Sequence, residues 1–138
     1  MEKLIVVTEL KRIETPGGDV FHAMKQSESQ YEGFGEAYFS WVNEGVIKAW
    51  KMHKRMTLNL VVPVGNVRFV FVSDSENKDF RVEEIGEKRY ARITVPPGVW
   101  FGFQGIGEGK NLVLNIADIE HDPEEVEKCN FLNIKYNW

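Results

Sequence analysis

The run Gly45-Val46-Ile47-Lys48-Ala49-Trp50-Lys51-Met52-His53-Lys54-Arg55-Met56-Thr57-Leu58-Asn59-Leu60-Val61-Val62-Pro63-Val64-Gly65 decides how this chain folds. From Ile47 to His53 polarity alternates with the two-residue period of a strand, and Leu58 to Val62 is more continuously apolar. Working outward, Asn66 to Val72 and Tyr90 to Val95 also alternate, and Leu112 to Ala117 forms another apolar run. Turn formers separate these segments: Pro16-Gly17-Gly18, Gly33 to Gly35, Gly65, Pro96-Pro97-Gly98 and Gly105 to Gly109. Several short strands at this spacing predict an all-β sandwich or barrel. The one strong helix-start signal is Asp122-Pro123-Glu124-Glu125, with a capping Asp, Pro at the first helical position and acids in the first turn. It predicts a short C-terminal helix.

In the first strand a period of two puts Ile47, Ala49, Lys51 and His53 on one face, and Lys48, Trp50 and Met52 on the other. Two placements fit the first face. If it lines an interior, Lys51 needs a carboxylate, a polar network or a ligand, because burying an unpaired ammonium depresses its pKa. If it faces out, both polar side chains are simply solvated. Lys48, Lys51, His53, Lys54 and Arg55 also concentrate positive charge in a chain that is otherwise acidic.

The 138 residues suit one domain, 1–138, with a real core. With 17 Lys+Arg against 21 Asp+Glu the net charge is −4, which argues against a broad nucleic-acid surface. No stretch approaches the roughly 18 apolar residues of a membrane span, and no signal-like start is present, so the expectation is a cytoplasmic protein without a membrane partner. Cys129 is the only cysteine, which excludes an internal disulfide.

Gly45, five residues, Lys51-Met52-His53, four residues, Leu58, six residues and Gly65 keep the spacing of the metal-binding cupin pattern, and Pro96-Pro97-Gly98-Val99-Trp100-Phe101 keeps that of its second half. Of the four ligand positions only His53 carries a metal donor suited to the role; the others hold Lys51, Leu58 and Phe101. Tight divalent sites need several deprotonated donors, so no metal and no other cofactor is expected.

From about Gly17 to Trp138 the chain resembles the dTDP-4-dehydrorhamnose 3,5-epimerase family and its shorter sugar-epimerase relatives. The matching stretches are Gly45 to His53, Val64-Gly65-Asn66-Val67 leading to Ser73-Asp74, Val95 to Phe103, and His121-Asp122-Pro123-Glu124-Glu125 through Tyr136-Asn137-Trp138. The resemblance implies a cupin-type double-stranded β-helix, a jelly-roll barrel. It also implies a homodimer and a nucleotide-linked 4-keto-6-deoxysugar, a dTDP-sugar, as substrate. The family uses a histidine base beside the 4-keto group, a lysine near the enolate and a tyrosine that reprotonates from the other face. At those places stand Lys51, Leu58 and Asn115. The dTDP-sugar 3,4-ketoisomerases carry Arg-Gly-x-His-Ala-His-Lys on the same strand, of which Lys51-Met52-His53-Lys54 keeps the second histidine and the lysine.

The expected activity is therefore metal-independent epimerisation or ketoisomerisation, by proton transfer next to a ketone. His53 is the expected base and Lys51 the electrophile, or the reverse if burial lowers the pKa of Lys51. Lys48 and Arg55 are expected at the diphosphate; Trp50, Tyr38 and Trp100 are candidates to stack on the base or sugar, each also suited to a core. Asn115 is a substrate contact, and His22 lies near the family's nucleotide contact, often made across the dimer. His121 is expected to be structural. The alternative is a catalytically silent cupin that binds a sugar nucleotide or a partner protein.

Overall fold

Alternating side chains and glycine turns produce twelve strands in the computed structural model, which describes residues 4–73 and 79–138. They are β1 (Val6–Glu9), β2 (Arg12–Ile13), β3 (Val20–Phe21), β4 (Glu36–Asn43), β5 (Ile47–His53), β6 (Leu58–Val64), β7 (Asn66–Val72), β8 (Phe80–Gly86), β9 (Ala91–Val95), β10 (Trp100–Gly105), β11 (Lys110–Ala117) and β12 (Val126–Lys128). A 3-10 turn, Phe131–Asn133, follows. Of the stretches matched above, Asp74 lies outside the described residues. No helix among the described residues is long and apolar enough to cross a membrane.

Two five-stranded antiparallel sheets form, ordered β1-β9-β6-β11-β4 and β12-β5-β10-β7-β8, beside the small β2-β3 ribbon. The pairs β4–β11, β5–β10, β6–β9 and β7–β8 mirror one another about the β7–β8 connection. Eight strands thus form one long folded hairpin whose successive pairs fall in alternate sheets, which is the jelly roll of a cupin-type sandwich. Inward-facing Leu58, Leu60 and Val62 of β6, Val67, Phe69 and Phe71 of β7, and Phe101 and Phe103 of β10 meet in one core. The continuous apolarity of β6 has a cause on its outer side as well: the chain near Gln30 hydrogen-bonds Asn59 there.

Two sequence expectations change. Asp122-Pro123-Glu124-Glu125 caps a turn, with Asp122 Oδ1 accepting from the Glu124 amide at 2.9 Å, but the chain then enters β12. Pairing of Val126, Glu127 and Lys128 with β5 outweighs the local helix signal, so no C-terminal α-helix forms. In β5 the two-residue period slips. Phe101 stands opposite Lys51, Gly102 opposite Ala49 and Phe103 opposite Lys48, which leaves Trp50 as the extra residue of a bulge. Gly102 permits this close approach, since a Cβ there would lie 2.5 Å from the Ala49 Cβ. Opposed residues share a face, so Lys48 and Lys51 join the side of Phe101 and Phe103. Ala49 and Trp50 both pack in the outer cluster under the C-terminal tail.

Candidate active site

The bulge sets what the β5–β12 edge presents to the interior. Beyond it, Lys51 and His53 share one face, as alternation predicts, and of the two placements open to that face the structure takes the inward one, with His53 4% exposed. Glu125 arrives from the turn before β12, where the Lys54 amide donates to its backbone carbonyl at 2.7 Å. Its carboxylate folds beneath the β5–β6 turn and is 1% exposed. Oε2 lies 2.6 Å from His53 Nδ1, and Oε1 accepts from the amides of Arg55 at 3.1 Å and Met56 at 3.0 Å. Burial alone would raise the Glu125 pKa, but these hydrogen bonds outweigh it and hold the carboxyl below its usual range.

Burial pushes the His53 pKa down, against the upward pull of Glu125, and the charges of Lys51 and His121 lower it further. A neutral imidazole beside an ionised carboxylate donates from Nδ1, leaving Nε2 as a bare acceptor. That Nε2 is buried and has no hydrogen-bond partner among the described residues.

Lys51 sits two residues earlier on the same face, half-buried, with Nζ 5.6 Å from the centre of the Phe101 ring. Its pKa is lowered by burial first, then by Lys128, which stands opposite it on β12, and by Lys48. No carboxylate among the described residues neutralises it. The facing wall of the first sheet contributes Tyr38 and Asn115, opposed across β4 and β11, with Asn115 Nδ2 donating to the Tyr38 hydroxyl at 3.0 Å.

The other sequence candidates disperse. Lys48 Nζ donates to the Trp41 carbonyl at 2.9 Å, tying β5 to the edge strand β4. Arg55 is exposed and pairs with Asp122 at 2.8 Å, beside the turn that supplies Glu125. Trp50 is buried on the outer face, opposite Lys51, its indole donating to the carbonyls of Phe131 and Ile134, so it is not free to stack on a ligand. Trp100 packs in the same outer cluster. His22 lies by the opposite edge of the first sheet, where its carbonyl accepts from Tyr90. Sequence reasoning missed Glu125 altogether. Its only signal was a second acid after Asp-Pro, which reads locally as a helix start.

Lys51, His53, Leu58 and Phe101 occupy the ligand positions of the cupin pattern on the inner walls. An ammonium, one imidazole engaged through Nδ1, and two hydrocarbon side chains do not make a donor set for a divalent ion. A cleft of about 490 Å³ bounded by Leu4, Phe80, Arg81 and Val99 includes none of the candidate side chains.

The chain is similar to several enzymes of sugar metabolism. A dTDP sugar isomerase from Desulfovibrio desulfuricans G20 is 34% identical, with 91% of this chain and 83% of that one covered and a TM-score of 0.86. A dTDP-4-dehydrorhamnose 3,5-epimerase from Sulfolobus tokodaii, 19% identical, shares the fold at a TM-score of 0.81, with 96% and 80% covered. A "probable low-salt glycan biosynthesis epimerase" of Haloferax volcanii is 28% identical over 117 residues, 80% of this chain and 75% of that protein. No protein-family model matches the chain.

Proposed function

Because the chain belongs to the dTDP-4-dehydrorhamnose 3,5-epimerase-like cupins, the sugar-nucleotide epimerases and ketoisomerases, we propose that it moves a proton next to the ketone of a nucleotide-linked 4-keto-6-deoxysugar. The observation that carries this is the buried His53–Glu125 pair, with a bare Nε2, beside an inward lysine that no carboxylate neutralises. Proton abstraction beside a carbonyl needs an acceptor poised near working pH and positive charge for the enolate oxygen. Burial favours the neutral, proton-accepting form of His53, and Lys51 with Lys48 and Lys128 gathers positive charge beside it. Tyr38, on the facing wall, supplies a phenol for the other face of the ring; Asn115 orients it. Lys48 and Arg55 are assigned to the diphosphate of a dTDP group. Leu58 and Asn115, at the family's lysine and tyrosine positions, favour a second reading in which the fold binds a sugar nucleotide without turning it over.

The test is deuterium incorporation from solvent into dTDP-4-keto-6-deoxyglucose. Exchange at C3, or at C3 and C5, is expected; a sugar that binds and keeps both protons leaves the binding-only function. We further propose a cytoplasmic homodimer. Edge strand β4 exposes Phe39 at 63% and Trp41 at 52%, next to the half-buried Leu112 and Leu114 of β11. A second copy covers such an apolar edge, and His22, distant from β5 within one chain, would then serve the partner's nucleotide.

A further inference from the structure

We propose that Lys51 is the base that touches the sugar, and that His53 with Glu125 forms a buried relay behind it, receiving the proton from Lys51. The inference rests on the sugar-nucleotide function above and assigns roles within it.

Access decides between the two side chains. His53 Nε2 has no exposed surface, so a sugar carbon cannot meet it without displacing packed neighbours. Lys51 is half-buried on the same face, between the sealed imidazole and the strand end where Lys48 reaches solvent. The groups facing Lys51 are Lys48 on its own strand, Lys128 on β12, the Phe101 ring on β10 and His53; none is acidic. Those charges and the burial favour the neutral amine, which is the form that accepts a proton. On His53, Glu125 accepts the hydrogen bond from Nδ1–H, which leaves Nε2 a buried lone pair with no donor among the described residues, a costly arrangement that an incoming proton relieves. Alternate residues of a strand lie about 6.5–7 Å apart, within the reach of a lysine side chain.

The step balances. The Lys51 lone pair takes the proton from the carbon next to the ketone; the C–H electrons form the C=C bond and the carbonyl π electrons move onto oxygen. One N–H bond of the resulting ammonium breaks as Nε2–H forms, and the imidazolium sits against the Glu125 carboxylate. Return through Lys51, whose side chain is only partly buried, closes the exchange cycle.

Chemical rescue tests this. Lys51→Ala should lower deuterium exchange into dTDP-4-keto-6-deoxyglucose by about 10²–10⁴. Small primary amines should restore it in proportion to their free-base form, with rescue rising with pH and with amine basicity. His53→Asn should leave residual exchange that added amines do not improve. An active wild type whose Lys51→Ala variant keeps its rate, or whose rescue follows the ammonium form, overturns this assignment alone. A wild type that exchanges nothing overturns the assignment together with the function it rests on.

Discussion

Along the middle of the second sheet, Phe69, Phe71, Phe101 and Phe103 fill the interior with ring centres 5.4–6.4 Å apart. At the β5–β12 edge of that sheet, the same inward positions hold Lys51 and His53 over the carboxylate of Glu125. Both regions line the inner side of the sheet, but they are stabilised differently. Phenylalanines gain by leaving water, whatever the pH. The edge must repay the desolvation of ionisable groups with hydrogen bonds, and does so completely for Glu125, partly for His53 and not at all for Lys51. Polar groups left unsatisfied in an otherwise close-packed interior are what a reactive site requires and a structural core avoids.

The largest effects should set the two regions apart by pH rather than by size. Phe69→Ala is expected to cost about 3–5 kcal/mol through the cavity it leaves. Glu125→Leu should cost about as much, 3–5 kcal/mol, by stranding the His53 N–H and two amides. Glu125 has a folded pKa below the ordinary value, so its contribution is present above about pH 4.3 and is lost as pH falls through the folded pKa. Denaturant melts should show the Glu125→Leu deficit shrinking in acid while the Phe69→Ala deficit persists. Equal persistence of both would make Glu125 mere packing.

A smaller effect should have the opposite sign. The pKa of Lys51 is depressed, so the stability it contributes is present above the ordinary lysine value, about 10.4, and is lost as pH falls toward its folded pKa. At neutral pH the depressed pKa therefore works against folding, because the unfolded chain keeps the proton more readily than the folded site does. Lys51→Met should raise the Tm at pH 7, with the gain fading as pH approaches 10; destabilisation at neutral pH would contradict the unpaired placement. The smallest effect on chemistry is expected outside both regions: Trp41→Asp should convert a dimer to a monomer by sedimentation and weaken sugar-nucleotide binding by removing His22 of the partner subunit, while leaving exchange at saturating sugar within a few fold. A wild-type monomer at micromolar concentration would remove the proposed partner.

What the sequence carried follows from the range of each interaction. β5 and β7 run from Ile47 to His53 and from Asn66 to Val72, as alternation predicts, because alternation records local burial. That Lys51 and His53 share a face was legible for the same reason; that the face points inward was not. The bulge was not, since it arises from Gly102, a residue of another strand whose closeness to Ala49 appears only when β10 and β5 pair. It turned Ala49 outward beside Trp50 and carried Lys48 to the side of Phe103. Glu125 was hidden because the Asp-Pro signal is read over four residues, whereas the His53 it serves lies 72 residues earlier.

The most direct test of the account places solvent-deuterium exchange into dTDP-4-keto-6-deoxyglucose side by side for wild type, Glu125→Gln and Phe69→Leu, at a temperature where all three are folded. Chemistry confined to the β5–β12 edge predicts exchange at the carbon next to the ketone in wild type, near-wild-type exchange in Phe69→Leu, and a loss of about 10²-fold or more in Glu125→Gln. Equal exchange in Glu125→Gln and wild type would contradict it.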